Sequence, residues 1–240
     1  MRGIAVEVAG RATMEGAPLF GPLDITLGAG RWTCLLGPSG VGKSTVLRLI
    51  AGLPTGARFE GRVTAEDGAP LGGRVAYMAQ SDLLFPWLDV TENVALGARL
   101  RGDRPDLARA DALIARVGLA RHAHKRPRQL SGGERQRVAL ARTLMEDRPV
   151  ILLDEPFSAL DAKTRAEMQE LAAELLAGRT VLLVTHDPAE AARLGEAIHV
   201  MTREEARRAE TPPTPAIRAV DDPATLAAQG RLYAMLREIA

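Results

Sequence analysis

The chain is short of several things, and each shortage narrows what it can be. One cysteine in 240 residues excludes an intramolecular disulfide. Cys34 falls inside an apolar run, which suits a buried thiol in a reducing compartment. No apolar run approaches the roughly 18 residues of a membrane-spanning helix. The first residues, MRGIAVEVAG, carry no signal-peptide pattern. A soluble, cytosolic protein is expected. Acidic and basic residues nearly cancel to a formal net charge of +1, so the overall balance gives no argument for nucleic acid or anionic lipid. Aromatic residues are 3% of the chain, so any group of them stands out. Lysine is scarce too: Lys43, Lys125 and Lys163 stand against 28 arginines. No internal repeat is visible.

Hydrophobic content of 46% is ample for a core, in one large α/β domain or two small ones. Residues 33–50 organise the rest. An apolar run (Cys34, Leu35, Leu36) meets a glycine-rich turn, and a helical pattern leaves it at Lys43. Gly37, Gly42, Lys43 and Ser44 fit G-x-x-x-x-G-K-[ST], the phosphate-binding loop, in the strand–turn–helix setting that the pattern requires. Glycines let the backbone curl until several N–H groups point at one anion. The following helix adds the positive end of its dipole. Lys43 can then reach the terminal phosphates and the Ser44 hydroxyl can ligate Mg²⁺. A chain that uses arginine nearly everywhere keeps a compact ammonium here, where a point charge on phosphate suits the site. A nucleoside triphosphate is the expected ligand.

Residues 3–8 and 23–27 read as strands of an antiparallel sheet, with further short strands in 62–64 and 74–77. Residues 78–97 break the pattern: Gln80, then Leu83-Leu84-Phe85-Pro86-Trp87-Leu88 without a periodic partner. Pro86 prevents a continuous helix. This apolar loop either packs on its own domain or is offered to a partner. Residues 106–117 read as a helix capped by Gly118. The basic stretch 122–128 reads as a solvated loop, and His122 and His124 lack further metal ligands nearby.

Ser131-Gly132-Gly133-Glu134 opens the helix 135–145. S-x-x-E is a capping box worth about 1 kcal/mol. Two glycines are a costly choice if capping were the whole task, and they make a second helix start at which backbone N–H groups can meet an anion. Val150-Ile151-Leu152-Leu153 is a strand buried on both faces, ending in Asp154-Glu155. Carboxylates at the carboxyl end of a parallel strand lie where α/β folds bind ligands. Asp154 would assist Mg²⁺ and Glu155 would polarise an attacking water. Asp161 can N-cap the helix 162–176. Residues 181–184 form another buried strand with His186 at its carboxyl end, the sheet edge that also carries Asp154. Residues 197–201 are a last strand. The charged, Pro-rich stretch 203–222 reads as a linker or irregular segment, followed by a terminal helix through Leu226, Leu232, Leu236 and Ile239.

Taken together, GPSGVGKST (37–45), Gln80, LSGGE (130–134), VILLDEP (150–156), SALD (158–161) and His186 resemble, in order, the ATP-binding subunit of an ABC transporter. The resemblance covers about residues 1–201. It implies an α/β P-loop NTPase fold: a central, mostly parallel sheet, an antiparallel β subdomain and a helical subdomain inserted at about 81–149. Residues 202–240 are left as a linker and helix without an assigned role. By the same resemblance, ATP is held by Gly37, Pro38, Ser39, Gly40, Val41, Gly42, Lys43, Ser44 and Thr45. A second copy, bound head to tail, would contribute Ser131, Gly132, Gly133 and Glu134. Ser44, Gln80 and Asp154 would hold Mg²⁺, Gln80 would sense the γ-phosphate, and Asp161 would signal across the dimer. Glu155 and His186 would be catalytic, His186 touching the γ-phosphate and holding the water.

Phe85-Pro86-Trp87 would meet transmembrane permease subunits, which places the chain peripherally on the cytoplasmic face of the inner membrane, fed indirectly by a periplasmic binding protein. LLFPWLDVTENVALG is most similar to importers of sulfonates, taurine, nitrate or thiamine precursors. One departure stands out. The family's adenine-stacking aromatic is missing near Thr13 and Met14, and Phe20 is displaced from that place. The rival reading, a soluble relative acting in DNA repair or translation, meets two obstacles. The 88 residues from Lys43 to Ser131 hold no sustained heptads, and the chain carries one cassette.

Overall fold

The structure is a computed structural model that describes residues 2–238. Its strands are β1 (Val6–Met14), β2 (Ala17–Leu27), β3 (Trp32–Leu36), β4 (Arg58–Ala65), β5 (Val75–Met78), β6 (Val150–Asp154), β7 (Thr180–Thr185), β8 (Ala197–Met201) and β9 (Ala206–Ala209). Its helices are α1 (Lys43–Ile50), α2 (Val90–Val94), α3 (Leu96–Leu100), α4 (Leu107–Arg116), α5 (Gly132–Met145), α6 (Ala162–Leu175), α7 (Pro188–Leu194) and α8 (Pro223–Glu238). The chain divides into two compact units. One comprises residues 1–75, 149–154 and 178–240; the other comprises 76–148 and 155–177.

In the first unit, β1 pairs antiparallel with β2 and β4. Alternate residues Val6 and Val8 on β1, and Leu23, Ile25 and Leu27 on β2, are buried, as a half-covered antiparallel sheet requires. A second sheet runs β6-β7-β3-β8-β9. β6, β7, β3 and β8 are parallel; β9 joins β8 antiparallel. Every residue of β3, β6 and β7 is buried, which is why these segments read as continuous apolar runs. The carboxyl ends of the neighbouring strands β6, β7 and β3 deliver Asp154, His186 and the phosphate loop to one edge.

β9 is a correction. It lies inside the stretch read as a linker, its register running from Met201↔Ala206 to Ile198↔Ala209. The Thr202 hydroxyl accepts from the N–H groups of Glu204 and Glu205, closing the tight turn that a charge-rich composition hid. The terminal helix forms as α8 with Leu232 buried as expected, joined inward by Thr225 and Ala228, while Leu226 is half exposed. Ile239 lies outside the described residues.

In the second unit, α2, α4 and α5 pack together, with α3 on α5. Residues 78–97, read as an aperiodic loop, contain α2 and the start of α3. The signal was Asp89-x-x-Glu92, a reciprocal capping box: Asp89 accepts from the Glu92 N–H at 2.8 Å, and Glu92 from the Asp89 N–H at 3.0 Å. On α6 the buried positions are Met168, Gln169 and Ala172, followed by Leu176. Among the described residues no helix is long and apolar enough to cross a membrane.

Candidate functional site

In the first unit, β3 drives its apolar end into a turn that only glycine can complete at Gly42. This residue sits at φ 96°, and an added Cβ would lie 2.8 Å from Phe20 Cδ1. A Cβ at Gly37 would lie 2.5 Å from the Met201 carbonyl oxygen. Lys43 opens α1 with 4% of its surface exposed. Its ammonium donates to the carbonyls of Gly37 and Pro38, both at 2.7 Å, so the charge spans the loop and is satisfied by backbone. The next residue, Ser44, donates to Asp154 Oδ1 at 3.1 Å. The loop, its lysine and the strand-end carboxylate therefore lie together in this unit. His186 is exposed in the turn between β7 and α7.

In the second unit, Glu155 is buried with φ 48°, a left-handed conformation that costs a non-glycine residue about 1–2 kcal/mol. Three neighbours hold it there. The Gln80 side-chain amide donates to Glu155 Oε2 at 3.1 Å. The Ser158 hydroxyl donates to the Glu155 carbonyl at 3.0 Å, and the Gln136 amide to the same carbonyl at 3.4 Å. Backbone strain held by converging hydrogen bonds is characteristic of functional positions.

Gln136, buried on α5, is a residue the sequence reading passed over. A glutamine amid arginines looks solvent-facing. Its spacing from the SGGE start, on a helix known to enter the core, was the available clue.

α5 begins with the expected capping box: Ser131 accepts from the Glu134 N–H, and Glu134 Oε2 accepts from the Ser131 N–H at 2.6 Å. That Ser131 N–H, ahead of the other contacts, holds the Glu134 carboxyl below the usual range. Gly133 is small for a packing reason, since a Cβ would lie 3.2 Å from Leu160 Cδ2. Beside Gly132 the space is open, the closest atom being Arg135 Nη2 at 3.9 Å. Asp161 caps α6 by accepting from the Thr164 N–H at 3.0 Å, a bond that also leads the causes keeping its carboxyl low.

The apolar loop is rigidly made. Asn93, fully buried, donates to the carbonyls of Phe85, Leu88 and Asp89, and its Oδ1 accepts from the Phe85 N–H at 2.8 Å. From α5, Arg135 donates to the Asp82 carboxylate and Arg142 to the carbonyls of Asp82 and Leu83. What this scaffold presents outward is Leu83, 62% exposed, and Trp87, 64% exposed, with the Phe85 and Trp87 rings 5.1 Å apart. An oily loop held open to water by buried hydrogen bonds is built for contact.

At the tip of the β1–β2 hairpin, Met14 is 37% exposed and no ring stands there. Phe20 is buried against Gly42 and belongs to the scaffold of the loop. A cleft of about 590 Å³ borders Pro38, Ser39 and Val41, but its other walls are the β8–β9 turn, Met235 and Glu238. Neither Lys43 nor Ser44 lines it, so it is not the phosphate cradle.

Comparison with known proteins gives this geometry a family. Residues 20–158 match the model of the ABC transporter family. An ABC transporter ATP-binding protein of Haemophilus influenzae is 50% identical over 189 residues, covering 78% of this chain and 77% of that protein. The aliphatic sulfonates import ATP-binding protein SsuB 2 of Agrobacterium fabrum is 44% identical, covering 85% of this chain and 78% of its own. The thiamine import ATP-binding protein ThiQ of Mesorhizobium japonicum is 45% identical, covering 75% and 73%. The dimeric post-hydrolysis state of the ATP-binding cassette MJ0796, bound to ADP and Pi, superimposes with a TM-score of 0.75 at 30% identity, covering 89% of this chain and 99% of that one. The chain belongs to the ABC transporter family, as an ATP-binding and ATP-hydrolysing subunit.

Proposed function

We propose that this chain powers an importer of a small solute of the sulfonate, taurine, nitrate or thiamine-precursor type. Hydrolysis takes place in a head-to-tail homodimer. Each ATP lies between one copy's phosphate loop, Gly37 to Thr45, and the partner's Ser131–Glu134. Relatives named as sulfonate and thiamine import subunits support the class of solute, and a dimeric structural neighbour supports the assembly.

The observation that carries the reading is Glu155, held strained and buried with its carboxylate on Gln80. In that place it accepts a proton from the attacking water. Lys43, set among the loop carbonyls of Gly37 and Pro38, binds the terminal phosphates, and His186 steadies the γ-phosphate and the water. The adjacent Ser44 hydroxyl and Asp154 carboxylate are hard oxygen donors that fit Mg²⁺; Gln80 would join them only by the family resemblance. The ion, when bound, offsets charge on the β- and γ-phosphates. Asp161 relays the state of one site to the other across the dimer.

The Phe85–Trp87 loop docks on transmembrane permease subunits at the cytoplasmic face of the inner membrane, and a periplasmic binding protein supplies the solute on the far side. Residues 1–201 carry the nucleotide motifs of the ATPase domain, with 81–149 as its helical insertion, and β9 extends its central sheet beyond them.

The test is ATP turnover by the purified chain in vesicles, with and without its two permease subunits. Stimulation of about tenfold or more, diminished by Trp87→Ala, supports the reading. Turnover indifferent to the permease, or stimulated instead by DNA or ribosomes, contradicts it.

A further inference from the structure

Two groups at opposite ends of a short helix bear on the site. His186 lies in the turn between β7 and α7. The turn is tied at one end by side chains: the Thr185 hydroxyl accepts from the Asp187 N–H at 3.0 Å and donates to Glu190 Oε2 at 2.7 Å, while Asp187 caps α7 through the Ala189 N–H. The direction of His186 thus follows from the strand and from the helix. β7 is a central, wholly buried strand; α7 has seven residues and, as an isolated helix, would be marginal. Its placement depends on what satisfies its last carbonyls.

Those carbonyls are satisfied by the C-terminal segment. The Arg218 guanidinium, buried in this charged stretch, donates through Nη1 to the carbonyls of Ala192 and Gly195, both at 2.8 Å. The Arg218 backbone N–H donates to the Arg193 carbonyl at 3.1 Å, and Arg193 Nε returns a bond to the Arg218 carbonyl at 3.0 Å. Its remaining guanidinium donors reach Thr214 and Pro212, which anchors the segment itself. A cation at a helix carbonyl end is favoured by charge as well as by geometry. Gly195 leaves no slack: a Cβ there would meet Cys34 Sγ at 3.1 Å and the Ala191 carbonyl at 2.7 Å.

We propose that Arg218 is a positioning residue for ATP hydrolysis, fixing α7 and thereby the His186 turn from a segment outside the nucleotide motifs. This rests on the reading that His186 serves at the γ-phosphate. It gives residues 212–218 a role within the ATPase unit itself, in place of that of a linker.

The experiment uses the full chain and measures kcat and KM for ATP at a temperature well below each variant's melting point. Arg218→Ala lowers kcat by about tenfold with KM within about twofold, since misplacement of a reacting group falls on the chemical step. In a His186→Ala background the same change lowers kcat no further, because both act on one element. Arg218→Lys, which keeps the charge and some donors, gives an intermediate kcat; should Arg218→Ala not fold, this variant carries both measurements. An unchanged kcat in folded Arg218→Ala overturns the proposal, as does the same fold-loss in both backgrounds, which marks a merely structural residue. If His186→Ala itself leaves turnover unchanged, the reading of His186 falls first and takes the proposal with it; that outcome is scored on the single variant alone.

Discussion

The amide of Gln80 donates to Glu155 Oε2 at 3.1 Å, which fixes the orientation of the proposed base. Two consequences meet in one variant. Gln80→Ala removes the hydrogen bond that helps hold Glu155 at φ 48° and also removes the amide oxygen proposed as a metal donor. The expected outcome is kcat lower by about 10–100-fold, with ATP affinity measured without Mg²⁺ changed by less than about threefold. Stopped-flow turnover and equilibrium binding of a fluorescent ATP analogue check the two halves separately. A variant with wild-type kcat would remove Gln80 from the account.

Met14 stands exposed at the hairpin tip, near the place that the family resemblance assigns to an adenine-stacking ring. Base–aromatic stacking is worth about 1–3 kcal/mol, so Met14→Tyr is expected to tighten ATP binding by about 5- to 150-fold and to leave kcat alone. Titration of ATP and of inorganic triphosphate distinguishes the source of the gain: the tyrosine strengthens only the ligand that has a base. Equal effects on both, or no effect, would place the adenine elsewhere.

His199 supplies a pH dependence with a definite sign. It is buried on β8, and burial, aided by Arg208 and opposed by Asp24, lowers its pKa from 6.5 to about 4. The unfolded chain takes up a proton at 6.5 and the folded chain not until about 4. Its contribution to stability is therefore complete above pH 6.5 and is lost as the pH falls toward 4, to a total of roughly 3 kcal/mol. Urea unfolding of the wild type and His199→Gln at pH 7 and pH 5 measures it: the wild type loses more stability between the two. Equal losses would mean that the imidazole keeps its ordinary pKa in the fold.

The parts of the molecule that were legible in the sequence are those fixed by neighbours in the chain. The turn at Gly37–Ser44, the buried run Val150–Leu153 and the Ser131–Glu134 box are each specified within nine residues, and the structure forms all three. What was missed depends on distant partners. Asn93 looked like one polar residue in an aperiodic loop, yet its three carbonyl acceptors define that loop. Gln136 and Arg218 looked like solvent-facing residues because their composition is polar; each is buried on a backbone carbonyl 19 to 26 positions away. Phe20 looked like a displaced stacking ring, and is a wall for Gly42. Side chains that bond to remote backbone leave no periodic trace.

The most direct test of the central claim is the pairing of turnover with assembly in Glu155→Gln. The glutamine keeps the size of the side chain and cannot accept the proton, so ATP should bind but remain intact. Turnover is expected to fall by about 100-fold or more, and light scattering should report a dimer with ATP and a monomer with ADP. Wild-type turnover in this variant would contradict the assignment of Glu155, and a monomer under both nucleotides would contradict the shared, head-to-tail site.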